Sequence, residues 1–273
     1  ENGGHGSTIN RGIEECTGKY FKVVDGDDWV NTADFKCLVE KLETCEADYV
    51  IADYYEVDDQ SGKKTPVEYK GLLENSKEDE WHGTFEEIVG KVIPSMHALV
   101  LKTSILKEHR IRLDEHCFYV DVEYILYPLP YVETVAYYSL HVYMYRLGQV
   151  TQSVSMEGFR KHIENHITVS INLTKFAEAY RQQTAGESRK KVDYIGKRVA
   201  QMIGDQVTIF MSYPVGDKKN KARFMLFDEK IKKISQWIYS LSEKESGTLK
   251  ILRRLNFRGY KAIMKNAKKR NGI

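Results

Sequence analysis

The feature that most limits the fold is a change of hydrophobic period near residue 150. Up to about Gly148, short runs of β-formers alternate with helical stretches; from Ser155 onward the apolar residues recur almost entirely at helical spacing. "KYFKVV", "ADYVIADYYEV", "HALVL", "VETVAYY" and "HVYMYR" predict strands, and the stretches beginning at Ser7, Thr32, Thr84 and Val120 predict helices. Alternation of this kind is an α/β pattern. Thr84 and Glu87 form a T-x-x-E capping box, which predicts a short helix ending near Ile93-Pro94. Four helical stretches follow, separated by polar breaks near Gly186, Gly216 and Gly247. The chain therefore divides into an α/β region, residues 1–154, and an all-helical region, residues 155–273.

At 273 residues and 42% hydrophobic the chain can bury a sizeable core. No apolar run approaches the roughly 20 residues that cross a bilayer, and no basic-then-apolar leader opens it, which makes the cytoplasm the default compartment. Beginning at Glu1 with "ENGGHGSTINRG", it reads like the middle of a domain, so a fragment of a longer protein is expected. Cys16, Cys37, Cys45 and Cys117 have neither C-x-x-C pairing nor metal-ligand spacing and are expected to be reduced packing residues. Nine lysines and arginines and no acid fall between Ser246 and Ile273, leaving residues 1–245 at −7 within an overall charge of +2. A tail-borne positive charge is not the footprint of a general nucleic-acid binder.

The chemistry concentrates in "YFKVVDGDDWV", Tyr20–Val30, an apolar run that ends in three aspartates around one glycine. In α/β sheets ligands bind at the carboxyl ends of strands, where loops converge. Asp25 and Asp27 flank Gly26, whose missing side chain is expected to tighten the turn and leave both carboxylates free to face one cation. Hard oxygen ligands suit Mg²⁺ or Mn²⁺, whose other ligands are commonly substrate phosphates. The competing reading is that Asp27 or Asp28 only caps the helix beginning near Asn31. A phosphatase of the haloacid dehalogenase type would need threonine or valine where Trp29 stands, and an EF-hand loop would need a glycine and a glutamate that are absent.

Over some thirty residues, "ENGGHGSTINRGIEECTGKYFKVVDGDDWV" resembles the central stretch of family 2 glycosyltransferases. A second block, Ile111–Ser155, resembles the acceptor-side half of the same family, with an acidic residue before a helix and then "Y-R-x-G…S-V-S". The resemblance implies a partial GT-A fold, a Rossmann-like mixed sheet with flanking helices, followed by a helical extension. It implies a UDP-sugar donor, Mn²⁺ or Mg²⁺ on Asp27 and Asp25, and a glycan or lipid-linked acceptor in cell-envelope synthesis. By the same comparison Asp25 contacts the donor's ribose or sugar, and Arg146, Gln152 and Ser153 contact the diphosphate or acceptor. Inverting transfer needs a base, for which Asp121 is the choice, flanked by apolar residues that would raise its pKa. Glu123 is its nearest rival, and Asp114 or Glu115 follow. His97 would line the acceptor site or be a packed core histidine, and Arg146 would equally suit pairing with a surface carboxylate. The family's arginine in "A-R-N-x-G" is replaced by Ile9, and if the protein begins at Glu1 it would lack the upstream segment that usually binds the nucleobase, which leaves a non-catalytic remnant as the alternative.

Two features of the second region remain. His162 and His166 stand four apart around Glu164, not as H-E-x-x-H, and are expected on a solvated face. If residues 249–265 form one helix, Leu249, Leu252, Leu255, Tyr260 and Ile263 oppose Lys250, Arg254, Arg258, Lys261 and Lys265, a pattern that suits peripheral contact with an anionic membrane at its inner face through residues 246–273. This leaves a membrane-associating helical binding protein as a further alternative. RNA binding would need a stacking platform that is absent.

Overall fold

The computed structural model describes residues 2–73, 79–148, 155–184 and 189–270. They fall into two compact units, Glu1–Gln152 and Ser153–Ile273.

In chain order the first unit contains α1 (Gly4–Glu15), β1 (Tyr20–Phe21), β2 (Trp29–Val30), α2 (Thr32–Thr44), β3 (Tyr49–Asp58), β4 (Lys64–Val67), β5 (Glu80–Thr84), α3 (Phe85–Ile88), β6 (Leu99–Lys102), α4 (Thr103–Glu108), α5 (Asp121–Leu126) and β7 (Thr134–Leu147). The strands form one mixed sheet of order β1-β6-β3-β7-β2, with β4 added to β3 and β5 to β7. Strands β3 and β7 run parallel and every other pair is antiparallel. The β3–β7 register shifts around Asp53, a bulge that re-aims the second half of both strands.

Several expectations are met locally. Asn31 begins α2, its side chain accepting from the Ala33 amide at 3.3 Å. Glu87 closes the capping box on the Thr84 amide at 2.7 Å, although α3 is a single turn that stops at Ile88 rather than near Ile93. On the buried side of α2, Leu38 packs with Val50, Ala52, Val100, Ala136 and Val142 of the sheet. Each fully buried leucine or valine among them contributes about 1.5–3 kcal/mol. Other expectations are corrected. "VETVAYY" and "HVYMYR" belong to one long strand, β7, while β2, β4, β5 and α4 were not foreseen. The cysteines are all free, but only Cys45 and Cys117 are buried, and Cys37 is exposed.

The second unit is helical: α6 (Met156–Lys161), α7 (Ile163–Gln183), α8 (Arg189–Met211), α9 (Lys218–Ile234), α10 (Gln236–Glu245), α11 (Gly247–Arg254) and α12 (Tyr260–Arg270). Two expectations fail here. His166 is buried, not solvated: its Nδ1 lies 2.6 Å from Gln206 Oε1, and burial pushes its pKa down to about 4. The tail is two helices rather than one. Asn256 and Phe257 take positive φ of 47° and 56° and Gly259 one of 69°, which breaks the helix between Arg254 and Tyr260. Much of its apolar face packs inward, with Leu249 and Leu252 fully buried and Tyr260 at 7% exposure. Arg253 anchors it: the guanidinium donates to Asp228 Oδ1 at 2.8 Å and the Tyr239 carbonyl at 2.6 Å and lies 3.5 Å from the Tyr239 ring centroid. No described helix is long and apolar enough to cross a membrane.

Candidate active site

Strands β1 and β2 lie at opposite ends of the strand order, so residues 22–28 carry the chain from one edge of the sheet to the other. The aspartates sit at the end of this crossing. The Asp28 amide donates to the Asp25 carbonyl at 3.1 Å, closing a turn over Asp25-Gly26-Asp27-Asp28. Gly26 has no positive φ, and a Cβ there would meet nothing within 4 Å, so the turn itself does not demand glycine, contrary to expectation.

The three carboxylates have three different environments. Asp28 is held by β7: it accepts from the Tyr143 hydroxyl at 2.6 Å and the Arg146 amide at 2.8 Å, and burial pushes its pKa up. The Tyr143 hydroxyl accepts in turn from the Asp25 amide at 3.1 Å. Asp28 is therefore the brace of the turn rather than a helix cap. Asp25 faces α1, where His5 Nε2 stands 3.0 Å from its Oδ1. Burial works to raise the Asp25 pKa, but His5 outweighs it and the net shift is downward. The His5 pKa is raised by Asp25 first, against burial, with Asp121 and Asp27 adding to it. Asp27 is exposed at the turn.

A cavity of about 360 Å³ opens beside the turn, lined by His5, Thr8 and Ile9 of α1 and by Phe21 to Gly26. Beneath it Lys22 donates to the carbonyls of His97 at 2.7 Å and Leu99 at 3.2 Å, and burial lowers its pKa to about 7. His97 stacks on Tyr145 at 3.9 Å and also meets Tyr54 and Tyr143. Burial takes its pKa to about 4, and its Nδ1 has no hydrogen-bond partner. Ligand atoms of Asp25, Asp28 and His97 lie within 4.8 Å of one another, a spacing one hard cation could bridge. A second such group, Asp53, Glu68 and His141, lies at the β3–β7 bulge, where Asp53 accepts from the Tyr69 amide and the Tyr137 hydroxyl, each at 2.8 Å.

Asp121 is the first residue of α5, and its charge is felt at His5 and Tyr145, which places it on the same side as the aspartate turn. Its approach is built with care. Tyr119, two residues earlier, holds φ of 70°, an uncommon conformation for a bulky residue. Glu123 is fully buried, accepts from the Asp114 amide at 2.8 Å and the Tyr127 hydroxyl at 3.1 Å, and is pushed up to about 7 by burial. Asn10 of α1 clamps the preceding loop: its Nδ2 donates to the Leu113 carbonyl at 2.9 Å and Glu115 Oε1 at 3.1 Å, while its Oδ1 accepts from the Leu113 amide at 2.9 Å. Gly6, one turn earlier, permits this approach, since a Cβ there would fall 2.0 Å from the Asp114 carbonyl oxygen.

The structure thus brings Asp25, Asp27, His97 and Asp121 into one region. Arg146 lies with its guanidinium 5.2 Å from the Trp29 ring centroid and its Nε 3.7 Å from Asp59, on the strand that braces Asp28. Gln152 and Ser153 lie outside the described residues. Asn10, Lys22 and Tyr143 were not foreseen. Asn10 left one signal, a polar residue in the apolar stripe of Ile9 and Ile13.

Residues 1–99 match the sequence profile described as Glycosyl transferase family 2. No curated protein matches the chain in sequence. Among solved structures, S. aureus TarS 1-349 in complex with UDP-GlcNAc is similar over 100% of this chain and 73% of that one, with TM-score 0.61 and 14% identity. The same protein in complex with UDP aligns over 98% of this chain and 71% of that one, with TM-score 0.59 at 14% identity. At such identity the likeness establishes a shared fold, that of a mixed sheet with flanking helices and a helical C-terminal region.

Proposed function

We propose, from the match of residues 1–99 to the profile of glycosyl transferase family 2, that this protein is a glycosyltransferase that moves a sugar from a UDP-sugar onto a glycan or lipid-linked acceptor with inversion at the sugar carbon. The observation that carries the reading is convergence: the Asp25–Asp28 turn, the cavity between it and α1, and the charge of Asp121 all meet at His5. The choice of UDP is supported by the complexes of the structurally similar TarS with UDP-GlcNAc and with UDP.

Asp25 and Asp27 would hold Mn²⁺ or Mg²⁺ against the diphosphate, Asp27 from its exposed place on the turn; support comes from the ligand atoms of Asp25, Asp28 and His97, which lie within 4.8 Å of one another. When bound, such an ion supplies positive charge beside the leaving diphosphate. Asp121 takes the proton from the acceptor hydroxyl as its oxygen bonds to the sugar carbon; the bond from that carbon to the diphosphate oxygen breaks, and its electron pair leaves with UDP. Arg146 would contact the diphosphate, and His97 would line the acceptor side. Titrating UDP with Mn²⁺ by calorimetry tests the donor site. Saturable, Mn²⁺-dependent binding weakened at least tenfold in Asp27→Ala is expected; binding indifferent to Mn²⁺ and to that substitution would remove the basis of the proposal.

The acceptor role in the cell envelope brings a place with it, the cytoplasmic face of the membrane. Support comes from α11 and its exit, where Ile251 and Leu255 remain 45% and 49% exposed among exposed Lys250, Arg254 and Arg258. Binding to anionic vesicles that falls with salt and is absent for neutral vesicles is expected. Equal binding to both vesicle types would count against it.

A further inference from the structure

A second cavity, of about 480 Å³, lies away from the aspartate turn. It is lined by Asn10, Ile13 and Glu14 of α1, Leu106 and Lys107 of α4, and Arg110, Ile111 and Arg112 beyond it, sharing no lining residue with the cavity at the turn. Its volume falls in the range of small-molecule sites. Its floor is apolar, with Ile13 and Leu106 buried, and its rim is cationic.

The three rim cations differ in what they already hold. Arg112 is neutralised by Glu14 at 3.2 Å and Glu115 at 2.6 Å, and the Lys107 ammonium donates to the Cys16 carbonyl at 2.5 Å. The Arg110 guanidinium has no carboxylate partner among the described residues, although its backbone is held firmly. The Ile111 amide donates to the Leu106 carbonyl at 2.9 Å and the Arg110 amide to the Lys107 carbonyl at 3.1 Å, the pattern of a Schellman helix end. Arg110 occupies the left-handed position of that motif, with φ of 50°, where glycine is the usual residue. An arginine thus sits at a strained position on the rim of an apolar pocket, with a net positive lining and no internal countercharge of its own.

We propose that this cavity binds an amphiphilic anion, a single apolar chain carrying a phosphate or carboxylate head, with the chain over Ile13, Leu106 and Ile111 and the head on Arg110 and Lys107. An occupant would also rest against Asn10, whose amide clamps Leu113 and Glu115. The proposal does not depend on the glycosyl-transfer reading.

The test is calorimetry of octyl phosphate below its micelle concentration, with octanoate, inorganic phosphate and octyl glucoside as comparisons. Saturable binding of octyl phosphate and of octanoate is expected; inorganic phosphate and octyl glucoside should each bind at least tenfold more weakly. Arg110→Gly is the informative variant, because glycine suits the backbone there: it should cut octyl phosphate binding at least tenfold, leave thermal stability equal or higher and leave UDP binding unchanged. Octyl phosphate binding undiminished in that variant, or no binding by the unaltered protein, would overturn the proposal. Binding of octyl glucoside or of inorganic phosphate as strong as that of octyl phosphate would overturn it too.

Discussion

Replacing Asn10 by alanine removes three hydrogen bonds at once and leaves the amide and carbonyl of Leu113, a residue only 2% exposed, without their partners. Each orphaned buried backbone group costs about 1–3 kcal/mol, so a loss on the order of 2–6 kcal/mol is expected for the pair. The damage should be local in origin: the amide of Asp114, the next residue, donates to Glu123 at 2.8 Å, and the loop it belongs to leads to Asp121. Urea unfolding gives the total, and hydrogen exchange at the Leu113 amide reports the site itself. That amide should lose most of its protection while amides in the centre of β3 keep theirs. Asn10→Asp retains the acceptor for the Leu113 amide but loses both donations and faces Glu115 with like charge, and should be nearly as damaging. A loss below about 1 kcal/mol with Leu113 still protected would refute the clamp as the organiser of this loop.

Other outcomes follow from the same contacts. Glu123→Gln should flatten the pH dependence of stability. A buried carboxyl raised from 4.5 to about 7 contributes fully below pH 4.5, and that contribution is lost as pH rises through 7, so the variant should gain on the original protein by up to about 3 kcal/mol between pH 5 and 8; parallel curves would contradict this. Arg253→Ala strands Asp228, whose side chain is 6% exposed, and should destabilise the helical unit by about 3–5 kcal/mol in urea; a change under 1 kcal/mol would show the pair to be dispensable. Gly26→Ala should leave the melting temperature within a degree or two, because neither φ nor space requires glycine there; a large drop would contradict the open turn.

Much of this was legible because local rules and tertiary structure agree. The capping box at Thr84 and the α2 start near Asn31 are written in short spacings, and the apolar runs of β3 and β6 are buried as their composition demands. Long-range pairing was not legible. Nothing local says that one strand runs through Ser139-Leu140: the β3 register slips there from Ala52 opposite Tyr138 to Asp53 opposite His141, and the Ser139 amide is met by the Asp79 carbonyl just before β5, far upstream in the chain. The tail misled because helical spacing continues through Asn256-Phe257, where the backbone turns left-handed so that Phe257 can be buried. In the site, the aspartates stood out because charge after an apolar run is rare. Tyr143 did not, because its role exists only once β7 reaches the same turn.

The most direct test of the account is single-turnover kinetics of UDP release from a UDP-sugar donor with acceptor present, comparing the original protein with Asp121→Asn while UDP affinity is measured in parallel. The account predicts a fall of about 10²–10⁴ in rate, the usual contribution of a positioned general base, with UDP affinity unchanged within a factor of two. A variant that turns over at the original rate would show that Asp121 is not the base and that the convergence at His5 has another purpose.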